Sequence, residues 1–164
     1  MAHYLDEKNV KVFTDNQVLT ESELHSRYEI YLEKYYKTIN IEALTMMDML
    51  KKDILPGTQV YEKRLSDTLT EMQKLNLPVL ESCEMKTLEK IVQLKKDVYA
   101  DLMQMEKLLN EKDCANSLET AFFYLEKIIP LMRSIRTNTD ALEQITARDC
   151  WPMPSYLDLL FGID

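Results

Sequence analysis

From Leu24 onward, apolar side chains return every three or four residues: Leu24, Tyr28, Tyr31, Leu32, Tyr35 and Ile39, then Ile41, Leu44, Met47, Leu50, Ile54 and Leu55. This is the period of an amphipathic helix. Thr20-Glu21-Ser22-Glu23 precedes it as a capping box, in which the threonine hydroxyl and the glutamate satisfy each other's backbone amides, and Leu19 and Leu24 flank it at staple positions. Pro56-Gly57 then interrupts the stripe. Proline lacks an amide donor and clashes with the preceding turn, so a kink or break is expected there. The stripe resumes with Val60, Tyr61, Leu65, Leu69 and Met72 and stops near Leu75-Asn76. Leu77-Pro78 marks a boundary, since the residue before proline avoids the α region.

A second stripe, over about 80–110, runs through Leu88, Ile91, Val92, Leu94, Val98, Leu102, Met105, Leu108 and Leu109. The polar stretch Asn110-Glu111-Lys112-Asp113 connects it to a third, over about 115–148. That one carries Leu118, Ala121, Phe122, Leu125, Ile128, Ile129, Met132, Ile135, Leu142 and Ile145, with a bend expected at Pro130. At about 1.5 Å per residue each later helix reaches roughly 45–50 Å. Long helices joined by short turns pack antiparallel. The pattern therefore predicts an all-α up-down bundle of three to four long helices over 20–149, the first kinked or broken near Pro56. Residues 1–19 show no clear period and read as an irregular tail or the remnant of an upstream connection.

Residues 150–164 differ in kind. Trp151-Pro152-Met153-Pro154-Ser155-Tyr156 holds the only tryptophan and two prolines one residue apart, which exclude a helix across them. Leu157-Asp158-Leu159-Leu160-Phe161 follows. This apolar and aromatic area requires burial, on the bundle or on a partner. Aromatic residues on a proline-stiffened segment form a low-entropy anchor, which makes Trp151, Tyr156, Leu160 and Phe161 the candidate interface residues of an irregular docking tail.

Composition narrows the chemistry. With two glycines in 164 residues, Gly57 and Gly162, the chain has no phosphate-cradling loop and few tight hairpins. A net charge of −8 opposes nucleic-acid binding, and Lys51-Lys52 and Lys95-Lys96 read as solvated helix faces. Cys83, Cys114 and Cys150 lack the spacing of a zinc site or a disulfide framework and read as reduced thiols of a cytoplasmic protein. No apolar run reaches the ~18 residues of a membrane span, and the acidic N-terminus lacks the apolar core of a signal peptide. Glu21 and His25 are four residues apart, not the three of a di-iron bundle motif, and His3 lies in the tail. Tyr28, Tyr31, Tyr35 and Tyr36 read as a packing face, and the dispersed methionines as core filling. There is no GxSxG nucleophile motif. No catalytic, cofactor-binding or metal-ligating residue is expected.

Two blocks carry a family resemblance. The first is Arg27-Tyr28-Glu29-Ile30-Tyr31-Leu32-Glu33-Lys34-Tyr35 with Lys37-Thr38-Ile39-Asn40-Ile41-Glu42-Ala43-Leu44-Thr45, Asp48-Met49 and Asp53-Ile54-Leu55-Pro56. The second is Trp151-Pro152-Met153-Pro154-Ser155-Tyr156 with Asp158-Leu159-Leu160-Phe161. Both resemble the C-terminal region of type III glutamine synthetases, over about residues 17–164. Members of that bacterial family ligate ammonia to glutamate in large ring-shaped oligomers, using ATP and divalent metal ions. Their catalytic portion lies upstream, so the resemblance implies a non-catalytic helical domain serving assembly, positioning or regulation, either excised or as a short homologue. Its implied partners are the parent's catalytic domain and neighbouring subunits, with homo-oligomerisation, and neither nucleic acid nor membrane. A free-standing helical interaction module is the alternative. Four residues depart from the family pattern: Cys150 and Met153 stand where aromatics are common, Leu157 where a small residue is usual, and Gly57 where alanine is usual.

Overall fold

A computed structural model describes residues 3–154 and 156–162, the side chains of Tyr156 and Leu157 excepted. Among the described residues the chain is helical with no strand. Helix α1 spans Glu7–Asp15 and α2 spans Glu21–Met49; a π-helical turn over Leu50–Ile54 leads directly into α3, Leu55–Lys74. Helix α4 spans Cys83–Asn110 and α5 Ser117–Phe123; a second π turn over Tyr124–Ile128 leads into α6, Ile129–Ile145. A 3-10 turn over Arg148–Cys150 and a short α7, Tyr156–Phe161, complete the chain.

The capping box forms as the sequence suggests: the Glu23 amide donates to Thr20 Oγ1, and the Thr20 amide donates to Glu23 Oε2 at 2.8 Å. The other two long-helix starts are also capped. Ser82 accepts from the Met85 amide and Asn116 from the Glu119 amide. These side chains satisfy amides that have no partner within the helix. They also place the second start at Cys83 rather than near residue 80. Helix α3 ends in a Schellman turn, with Asn76 at φ 55° and the Leu77 amide donating to the Met72 carbonyl.

The chain does not break at Pro56. It stays helical from Glu21 to Lys74, and the disturbance is absorbed in the π turn immediately before the proline. There the Leu55 amide reaches back five residues to the Leu50 carbonyl. The same device precedes Pro130, where the Ile129 amide donates to the Tyr124 carbonyl. A widened turn makes room for a proline ring that would otherwise strike the carbonyl four residues earlier. It also corrects the stripe. Buried positions on this helix advance mostly by fours, as in Leu24, Tyr28 and Leu32, then Ile39, Ala43 and Met47, then Leu50, Ile54 and Thr58. A four-residue step overshoots a 3.6-residue turn by about 40°, and wider turns keep such a stripe on one side.

Residues 1–19, expected to be irregular, hold the nine-residue α1. The signal was too short to read because α1 buries none of its own residues. The segment is tied down beside it, where Tyr4 and Leu5 pack on Tyr28, Leu32 and Ala121.

One core cluster spans the long helices, with Ile39, Ala43, Leu50, Ile91, Val98, Leu102, Met105, Tyr124, Ile128, Ile135 and Leu142 in it. Helix α4 packs along both α3 and α6. Two ion pairs mark its direction. Lys51 donates to Glu106 at 3.1 Å and Lys95 to Glu62 at 2.7 Å. As one number rises the other falls, so α4 runs against the π turn and α3. Tyr124, 1% exposed, donates its hydroxyl to Asn40 Oδ1 at 2.7 Å, and burial pushes its phenol pKa up.

At Gly57 the first turn after the proline meets the backbone of the C-terminal segment. A Cβ there would lie 2.7 Å from the Cys150 carbonyl oxygen and 3.0 Å from Pro152 Cδ. Replacing it with alanine gains about 1 kcal/mol of helix propensity and incurs an overpacking cost of about 1–3 kcal/mol. We expect Gly57→Ala to lower the urea midpoint and to red-shift Trp151 emission. An unchanged emission maximum would mean that the contact is not rigid.

Candidate functional site

After Ile145 the backbone turns back across α3. The Thr146 hydroxyl donates to the Leu142 carbonyl at 2.7 Å, and the amides of Cys150 and Trp151 both donate to the Ala147 carbonyl. This strap is fastened at three points. Its backbone lies on Gly57. Arg64 grips Asp149 with two hydrogen bonds of 3.2 and 2.8 Å. Trp151 and Met153 pack on the core cluster. The hydrogen bonds from Arg64 hold the Asp149 carboxyl below its usual range and raise the Arg64 pKa.

Between the strap, α2 with its π turn, and α6 lies a groove of about 520 Å3. Its apolar surface includes Met46, Leu50 and Ile54 from one wall, Met132 and Ile135 from the other, and Trp151 at one end. Two buried polar atoms without a hydrogen-bond partner among the described residues, Thr139 Oγ1 and Trp151 Nε1, belong to residues lining this groove. Its rim carries Glu42 on α2 and Arg136, Asp140 and Glu143 on α6. Arg136 is engaged by Asp140 at 2.7 Å.

Of the four residues expected to act as a docking element, three have described side chains, in different surroundings. Trp151 is partly buried against the core cluster. Leu160 and Phe161 on α7 are 55% and 65% exposed, beside Leu159 at 70%. Tyr156 begins α7, and its side chain lies outside the described residues. Arg148 donates to Asp158 at 3.1 Å and ties α7 to the 3-10 turn. The groove itself escaped the sequence reading, because Glu42, Thr139 and Glu143 are polar residues on helices whose apolar stripe drew the eye. Only the fold brings them beside Trp151. Among the described residues no three His, Cys, Asp or Glu side chains are grouped so as to hold a metal ion, and no helix is long and apolar enough to cross a membrane.

The ion pair gives the strap a pH signature. A carboxyl with a depressed folded pKa stabilises above its unfolded pKa, and that contribution is lost as pH falls through the folded value. Wild type should therefore exceed Asp149→Asn in stability near neutral pH, and the difference should begin to shrink as pH falls below about 4, the unfolded carboxyl value, and disappear below the folded one. Parallel acid titrations followed by Trp151 emission would measure it. A difference that does not shrink over this fall in pH would assign the effect to packing rather than charge.

The family "Glutamine synthetase C-terminal domain" matches residues 1–73, that is α1 to α3. A glutamine synthetase of Butyrivibrio fibrisolvens is 30% identical over 171 aligned residues, covering 99% of this chain and 23% of that protein. One from Bacteroides fragilis (strain YCH46) is 30% identical over 168 residues, covering 98% and 23%. A type-3 glutamine synthetase of Dictyostelium discoideum is 28% identical over 162 residues, covering 94% and 22%. The chain thus spans less than a quarter of the length of these relatives. The similarity to glutamine synthetases runs through all the long helices and the strap, and over α1 to α3 the chain matches the glutamine synthetase C-terminal domain family.

Proposed function

We propose that this chain is a non-catalytic helical domain of a type III glutamine synthetase, and that it serves assembly, positioning or regulation of the catalytic part. On this reading the parent ligates ammonia to glutamate with ATP and divalent metal ions, in an oligomer in the cytoplasm. The domain is a rigid up-down scaffold. The long helix Glu21–Lys74 and the α5–α6 helix run one way, and α4 runs the other way between them. Its contacts are with the catalytic domain and neighbouring subunits.

The observation that carries this reading is the split character of the C-terminal segment. One half is clamped to the bundle through Gly57, Arg64–Asp149 and Trp151. The other half, α7, presents Leu159, Leu160 and Phe161 to solvent on a helix anchored by Arg148–Asp158. A firmly held base with an exposed apolar end suits a docking element. Aromatic and large aliphatic anchors dominate interface energetics.

Two measurements test the reading. The 164-residue chain alone should form no glutamine from glutamate, ammonia and ATP, and turnover by it would overturn the non-catalytic assignment. In a full-length parent carrying this segment, Leu160→Glu with Phe161→Glu should shift the assembly to smaller particles by sedimentation, while the isolated domain keeps its melting temperature. An unaltered particle size would remove α7 from assembly.

A further inference from the structure

The groove between α2, α6 and the strap has a chemistry of its own, independent of the docking role given to α7. Its floor is apolar and its volume is in the range of sites that accept side chains or small ligands. Glu42 and Glu143 stand on opposite walls. Both are exposed, and neither carboxylate has an ion-pair or hydrogen-bond partner among the described residues. Among the described residues the one cation on the rim, Arg136, is paired with Asp140. The rim is therefore net negative by two charges. Elsewhere on the surface some acids are engaged by a lysine, as in Glu7–Lys11, Asp48–Lys52 and Glu71–Lys74. An apolar trough edged by carboxylates without partners is complementary to an apolar segment that carries positive charge.

A polypeptide segment supplies both needs at once, through apolar side chains for the floor and lysine or arginine for the rim. We infer that this groove binds a polypeptide segment that is apolar on its buried side and carries lysine or arginine at the positions facing Glu42 and Glu143. Met46, Met132 and Met153 on its walls are unbranched and repack readily around such a segment.

Trp151, the single tryptophan, makes the test direct. The 164-residue chain would be titrated with a twelve-residue peptide of leucine, alanine and lysine, and separately with the same peptide bearing glutamate for lysine. The lysine peptide should blue-shift and saturate Trp151 emission. The glutamate peptide should bind at least tenfold more weakly. Glu42→Gln with Glu143→Gln should weaken the lysine peptide about tenfold at low salt while leaving the melting temperature unchanged. Glu89→Gln with Glu126→Gln, away from the groove, should leave binding as in wild type. Equal binding of the two peptides, or equal loss with the distant pair, would overturn the inference in favour of general attraction to an acidic surface. A concentration-dependent dimer that buries Trp151 without any peptide would overturn it in favour of a second copy as the occupant.

Discussion

The structure depends on a helix that contains a proline without ending at it. From Glu21 to Lys74 the backbone stays helical, and the π turn Leu50–Ile54 takes up the distortion that Pro56 imposes. Were the helix to stop there, Leu65 and Leu69 would lose the rod that holds them against α4. Glu62 would lose its place opposite Lys95, and Arg64 its place opposite Asp149. Gly57 sits one residue past the proline, so the spot where the strap touches the rod is the first turn after the widened one. Local backbone accommodation, long-range register and strap attachment are thus one arrangement.

Most of the scaffold was legible because helix period and capping chemistry are local. Thr20 and Glu23 announce the start of α2 within four residues, and the Leu-rich stripes specify which faces are buried. What was illegible is what depends on distant parts of the chain. Pro56 and Pro130 look like breaks in sequence, and only packing on both sides of each makes a π turn cheaper than a kink. Gly57 looked like a departure from alanine until Cys150 and Pro152 were seen to lie on it. Helix α1 went unread because a helix without buried residues has no stripe of its own. The groove went unread for a related reason: its polar members come from two helices about a hundred residues apart in the chain.

The C-terminal segment shows how one stretch of apolar sequence divides its labour. Trp151 and Met153 pack on the core and also line the groove, so the fold and the groove share residues there. Leu159, Leu160 and Phe161 contribute little to the fold of this chain. Single surface apolar side chains are ordinary, and here three stand exposed in a row on a turn anchored by Arg148 and Asp158.

The two aromatic attachments lie far apart along the same rod. Tyr4 stacks on Tyr28 near the beginning of α2, with ring centroids 6.1 Å apart, and the strap closes over Gly57. At about 1.5 Å per residue these places are separated by roughly 40 Å of uninterrupted helical backbone. A helix held on its flanks by α4 and α6 resists bending and compression alike. The rod thus sets the spacing between those two attachments by its own length.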